Sequence, residues 1–281
     1  YVAAAAGAGS VTDSYSTAAG TLYYYQIFPY KFDGTAAHAT YNYRTAATIP
    51  EASATTGSSE PGTSSTILSF VPASSASATL TWTNSGTADG TIILVKSNSA
   101  VSSDPSDWTN YTANATYGSG AQIGTGNYVV FAAAGKTGTV TVANLAAGST
   151  YHAAVYPYNG TGSLLNYRTT SPATGSLTIL PAPTAQSATA DGKTLINLAW
   201  TKNASYNVMI VYREGSASAE PTQGQAYSVG GACGSGTVIY KGSAAALEHM
   251  VNPGVAHYYA FYSYNGDYYS AGVTASTSTT A

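Results

Sequence analysis

Two kinds of strand are written more than once along this chain, in the same order, and repetition of that kind constrains a fold more than composition does. "ATLTWTNSG" carries Trp82 and "INLAWTKNAS" carries Trp200, 118 positions apart. Leu80 and Trp82 share one face of an extended strand, as do Leu198 and Trp200, whereas Thr81 and Ala199 face the other way. An apolar, β-branched run follows each: "TIILVKSNSAVSSDP" from Thr91 and "NVMIVYREGSASAEP" from Asn207. Both read as a central strand that runs into a Ser-rich turn closed by Asp104-Pro105 or Glu220-Pro221.

The second kind of strand is led by a glycine. Gly20, Gly148 and Gly254 each precede an alternating stretch that closes at Tyr30, Tyr158 or Tyr264. After the first two comes "NYRT", at 42–45 and 166–169. These units predict a partial module at 1–60 with closing strands only, a complete one at 61–181 and another at 182–281. "SSEPGTSS" and "LPAPTAQS" are the Pro-containing seams, short and stiff enough to join beads in a row. The one weakly helical stretch, "SAAALEHM" (243–250), aligns with the strand "GTVTVANL" (138–145), so a strand is expected there.

Many short turn-bounded strands, with a Trp early and a Tyr just after a Gly late, describe an all-β protein built of antiparallel sandwiches. "LTWTNSG", "LAAGSTYHAAVYPYNG" and "LAWTKNASYNVMIVY" resemble fibronectin type III modules, most of all the kind attached to secreted and cell-surface proteins of the Bacteroidota. The resemblance implies tandem immunoglobulin-like sandwiches without a disulfide, which agrees with the single cysteine, Cys233. It implies core positions for Trp82 and Trp200 and a hydrogen-bonded corner at Tyr23, Tyr151 and, as a departure, His257. The loop from Ser97 to Thr125 is longer than a minimal module needs.

Only 7% of the 281 residues are charged, against roughly 25% in an ordinary soluble domain. The polar surface must come from Ser, Thr, Asn, Gly and Tyr, and a net charge of -3 provides no field for nucleic acid or an anionic membrane. No apolar run is long enough to span a bilayer as a helix. The chain has no initiator Met and no basic start followed by an apolar stretch, so it is expected to begin after processing or to be a fragment. The strands that complete the first module are then expected from upstream chain or from another subunit.

The sequence carries no familiar catalytic pattern. Gly135-Lys136-Thr137 lacks the earlier glycine of a phosphate loop, because that position is Val130. There is no nucleophile elbow, no zinc-protease helix and no pair of closely spaced cysteines. The four histidines, His38, His152, His249 and His257, are isolated in sequence. Asp104 and Asp107 would suit a cation, but Asp beside a Pro turn also bonds its own backbone. No catalytic residue, metal ligand or cofactor is predicted.

Exposed aromatics are the remaining constellation. Consecutive Tyr23, Tyr24 and Tyr25, and the run Tyr258 to Tyr262, must point some rings outward. Tyr24, Tyr156, Tyr259 and Tyr262 are the candidates for contact with a neighbouring module, another copy or a glycan, with ordinary sheet packing as the competing account. The expected function is a non-catalytic, extracellular or cell-surface structural or adhesive protein, as spacer or fibre body. The alternative is an accessory spacer or glycan-binding region of a larger secreted hydrolase. Expected partners are copies of itself, neighbouring modules or surface glycans, with no nucleic acid and no membrane insertion.

Overall fold

The computed structural model describes residues 10, 12–13, 17–32, 41–45, 48–84 and 86–281. In the middle of the chain, β5 (Ser65–Ser74), β6 (Ser77–Asn84) and β9 (Thr137–Val142) form a sheet in the order β5-β6-β9. Facing it are β7 (Gly90–Ser97), β8 (Tyr128–Ala134), β10 (Thr150–Asn159), β11 (Asn166–Tyr167) and β12 (Ala173–Thr178), in the order β11-β10-β7-β8 with β12 also on β10. The pairings are antiparallel.

The strict alternation of β6 explains its place. Ala78, Leu80 and Trp82 are buried, while Thr79 and Thr81 turn outward and pair their hydroxyls with Thr141 and Thr139 at 3.1 and 3.2 Å. The core between the sheets gathers Trp82, Ile93, Val95, Val130, Val142, Tyr151 and Val155, with Phe131 edge-on to Trp82 at 4.6 Å. Burying side chains of this size stabilises by roughly 1.5–3 kcal/mol each.

The last sandwich repeats the arrangement. β13 (Thr184–Asp191), β14 (Leu195–Thr201) and β18 (Ala246–Met250) face a sheet of β15 (Asn207–Glu214), β16 (Ala232–Cys233), β17 (Gly236–Gly242), β19 (Ala256–Asn265), β20 (Tyr268–Tyr269) and β21 (Val273–Ser278). "SAAALEHM" therefore contributes strand β18, as its alignment anticipated. Trp200, Ile196, Leu198, Ile210 and Phe261 fill this core. Ahead of both sandwiches, β1 (Leu22–Gln26) pairs β4 (Glu51–Thr55), and β2 (Tyr30–Phe32) pairs β3 (Tyr41–Tyr43). These match the closing strands β10, β12 and β11, as the sequence repeat requires.

The two tryptophans differ in one atom's environment. Trp82 Nε1–H donates to the Thr91 hydroxyl at 3.0 Å, and Asn84 Nδ2 donates to the same oxygen at 2.7 Å. Val208 stands at Thr91's place in the last sandwich, and the buried Trp200 Nε1 has no partner among the described residues. A net hydrogen bond is worth about 1 kcal/mol, so Val208→Thr is expected to stabilise the last sandwich by about 1 kcal/mol in urea unfolding. An unchanged or lowered midpoint would count against this pairing.

Strand β7 carries more than a two-layer sandwich predicts. Ile93 and Val95 face the core, yet Ile92 and Leu94, on the opposite face, are also fully buried. The covering layer is the long loop between β7 and β8. Ile123, Val101, Tyr111, Ala113 and Ala121 pack from it onto Ile92, Leu94, Tyr156 and Tyr167. It is hydrogen-bonded to the sheet as a strand would be: Asn114 N–H donates to Val129 C=O (3.1 Å) and Val129 N–H to Ala121 C=O (2.9 Å).

The loop between β15 and β17 repeats this cover bond for bond. Ser106 N–H donates to the Tyr111 hydroxyl (3.0 Å), and Thr222 N–H to the Tyr227 hydroxyl (3.1 Å). Tyr167 N–H donates to Asp107 Oδ1 (2.8 Å), and Tyr269 N–H to Gln223 Oε1 (2.9 Å). The Tyr167 hydroxyl reaches Thr109 C=O (2.8 Å) and the Tyr269 hydroxyl Gln225 C=O (2.9 Å). Each sandwich thus has a third layer clamped by two tyrosines, whose rings sit 6.1 Å apart in the middle sandwich and 5.6 Å apart in the last.

Candidate functional site

The corner residues come first, because they fix the strand that carries the tyrosine rows. Ala18 N–H donates to the Tyr23 hydroxyl and Ala146 N–H to the Tyr151 hydroxyl, each at 2.8 Å and each five residues back. His257 closes the same five-residue corner with the polarity inverted. Its Nε2 lies 3.1 Å from Asn252 C=O, which only accepts, so the imidazole donates there.

Pro157 lies where β10 changes partner. The pairing with β12 ends at Val155 and that with β11 begins at Tyr158, so a residue with no N–H fits the gap. Ser263, at the matching place, has an N–H to satisfy, and Ser270 Oγ accepts it at 2.9 Å.

The aromatic candidates divide sharply. Tyr24 is 79% exposed, but Tyr156, Tyr259 and Tyr262 are each only 1% exposed. The expectation that these three rings offer themselves to a ligand is corrected by their cover. Tyr259 faces into the last sandwich's core, and Tyr156 and Tyr262 lie beneath the third layers. The Tyr156 hydroxyl donates to Asp104 Oδ1 at 2.9 Å, and burial, reinforced by that carboxylate, raises its pKa. Burial likewise raises Tyr259 and Tyr262, and pushes Tyr269 up to about 12. Trp82 and Trp200 are buried in their cores.

The carboxylates and the thiol have structural employment. Asp104 Oδ1 accepts from the Tyr156 hydroxyl and Asp107 Oδ1 from the Tyr167 N–H. Among the described residues, no group of three or more His, Cys, Asp or Glu converges. Cys233 is buried in the apolar cluster under the β15–β17 loop, and burial raises its pKa against a hydrogen bond from Tyr227.

The seams are clamped. In the first, Asn166 Nδ2 donates to Ser58 C=O (2.8 Å) and Asn159 Nδ2 to Ser59 C=O (2.9 Å). Arg168 donates to Pro61 C=O and Ser64 Oγ, both at 3.1 Å, and pairs with Glu60 at 3.4 Å. Gly57 abuts Trp108 so closely that a Cβ there would lie 2.7 Å from the indole nitrogen. In the second seam, Ile179 and Leu180 are buried, and Ile179 N–H donates to Ser149 C=O at 3.0 Å.

One cluster escaped sequence reasoning altogether. His249 and His257, isolated in the sequence, meet on either side of Tyr212. The His249 ring lies edge-on to it at 4.6 Å and the His257 ring stacks at 5.9 Å. The Tyr212 hydroxyl and His257 Nδ1 are 2.8 Å apart, and the Tyr259 hydroxyl and His249 Nδ1 are 3.0 Å apart. Burial, and then the neighbouring His257, lower the pKa of His249. His152 sits on β10 away from this cluster, opposite Lys96, and His38 lies outside the described residues.

No family model and no curated protein matches the chain. Solved structures to which it is similar include a two-domain fibronectin type III segment of chicken tenascin, at 14% identity over 77% of this chain and 100% of that one, with a TM-score of 0.32. The first three fibronectin domains of chicken CNTN1 align at 12% identity over 94% and 79% of the two chains, with a TM-score of 0.37. The central fibronectin-III array of RIM-binding protein aligns at 7% identity over 77% and 69%, with a TM-score of 0.25. At such loose overlap the tandem sandwich stands on its own strand order, registers and paired cores.

Proposed function

We propose that the chain is a non-catalytic spacer of fibronectin type III-like modules in an extracellular or cell-surface structural or adhesive protein. The observation that carries this reading is the pair of slack-free seams. Arg168, Asn159 and Asn166 hold the incoming chain at 58–64, and Ile179 and Leu180 bury the outgoing one. Asp104, Asp107, His249 and His257 are bonded to backbone or to tyrosine hydroxyls. The low charge weakens repulsion between neighbouring copies.

Contacts with other copies or neighbouring modules belong, on this reading, to the leading strands. Leu22, Tyr24, Ile27 and Phe28 are exposed there, although the residues that match Ile27 (Val155 and Phe261) and Phe28 (Tyr156 and Tyr262) are covered in the complete sandwiches. Single-molecule extension from the two termini tests the spacer. Two abrupt events should appear, each releasing roughly 30–40 nm for about 100 residues at ~3.5 Å per residue. Smooth lengthening at low force would refute a load-carrying role.

A further inference from the structure

The loop layer of the middle sandwich carries one residue that does not suit its backbone. Trp108 has a left-handed φ of 60°, a region that crowds a bulky side chain. The other non-glycine residues at positive φ among the described residues, Asn98, Asn144, Ser171 and Ala185, all have short side chains.

The last sandwich uses a glycine at the matching place. Gly224 has a φ of 78°, and its N–H donates to Asp267 C=O at 2.8 Å, as Trp108 N–H donates to Leu165 C=O at 2.8 Å. The residue before each, Asp107 or Gln223, accepts the N–H of a clamping tyrosine. The two layers thus share one backbone path, which glycine follows without strain. A Cβ on Gly224 would enter open space, so crowding by neighbours does not explain the choice of glycine there.

The reason for the indole lies outside the sandwich. Gly57 follows the first module's closing strand, β4, by two residues. A Cβ there would stand 2.7 Å from the Trp108 indole nitrogen and 3.6 Å from its Cδ1, so only a glycine lets the ring lie this close to the departing chain. The clamp side chains beside it divide in the same way. Asn166 and Arg168 donate to the carbonyls of Ser58 and Pro61. Tyr268 and Ser270 take their places in the last sandwich, where Ser270 Oγ turns to its own sheet and accepts from Ser263 N–H.

We propose that the third layer of the middle sandwich is the docking surface for the segment that leaves the first module, with Trp108 as its anchor against Gly57. The indole is 66% exposed, so about a third of it is covered. Covering that much of a Trp corresponds to roughly a tenfold factor in the closing of the joint. The assignment deepens the spacer reading and rests on it for its use, since a closed joint passes load from one module to the next.

Hydrogen exchange of the full chain at neutral pH tests it at Ser58, whose N–H donates to Leu164 C=O at 3.2 Å. Trp108→Gly should speed that exchange roughly tenfold. The urea midpoint of the middle sandwich should stay the same or rise, because the left-handed backbone receives the residue that suits it. Ile179 N–H, which donates to Ser149 C=O at the other seam, should not change. Gly57→Ala pushes the indole away from the opposite side and should reproduce the faster exchange. Adding it to Trp108→Gly should bring no further increase, since both act through one contact. A lowered midpoint with unchanged Ser58 exchange would assign the indole to the sandwich alone, and additive effects would mean that the two residues do not meet; either result overturns the proposal. Extension under force reads load-bearing separately, so its failure would refute the spacer and leave the docked joint standing.

Discussion

Tyr167→Ala is expected to cost about 3–5 kcal/mol and to strip the third layer from the middle sandwich. The ring stands between Tyr111 and Tyr158, with centroids 6.1 and 5.6 Å away, and its hydroxyl holds Thr109 C=O. Removing it leaves a cavity beneath the loop, in the cluster that covers Ile92, Leu94 and Tyr156. Tyr167→Phe keeps the ring and loses only the hydroxyl's bond, so it should cost about 1 kcal/mol. Urea unfolding of the two variants separates packing from hydrogen bonding. Equal losses would mean that the ring does not hold the layer.

Gly120→Ala is the second large effect, and it acts from the opposite side of the same contact. A Cβ at Gly120 would overlap the Val129 carbonyl oxygen and lie 3.0 Å from Asn114 N. Both obstacles are backbone, one in β8 and one in the loop, so neither can swing aside as a side chain tip would. Overpacking of this kind costs about 1–3 kcal/mol, and the upper end is expected because the bond from Asn114 N–H to Val129 C=O must open. Gly62, with open space around it and no left-handed backbone, is the control: Gly62→Ala should leave the midpoint unchanged. A tolerated Gly120→Ala would mean that the loop docks less closely than described.

These two variants bear on what the sequence could reveal. The Trp strands were legible because β6 and β14 alternate without a break, and the corners because Gly20, Gly148 and Gly254 repeat at fixed distance from Tyr23, Tyr151 and His257. The third layer was not, although its signal was present. "TIILV" and "VMIV" are apolar at consecutive positions, which marks a strand buried on both faces, and the only chain free to cover the outer face was the loop itself. A second signal was the shared spacing from Pro105 to Tyr111 and from Pro221 to Tyr227.

The exposure of Tyr156 and Tyr262 was misjudged for the same reason: period-two alternation assigns them to the outer face, but it cannot say whether that face meets water or a loop. Tyr259, expected to point outward, is on the opposite face and fills the core between the sheets. The histidine pair was out of reach for a different reason. His249 and His257 lie on β18 and β19, strands of opposite sheets, and they meet only because Tyr212 on a third strand stands between them.

The central claim is that the long loops are folded layers over the sheets, and that Tyr156 and Tyr262 are structure beneath them. Hydrogen exchange of the unaltered protein at neutral pH tests it most directly at Asn114, Ala121 and Ile123, whose N–H groups donate to Val129, Thr112 and Asn127 carbonyls. These amides should be protected to the same degree as those of β7 and β8, and lose that protection together with them in urea. Exchange at these three positions at the rate of an open loop, with β7 and β8 still protected, would contradict it.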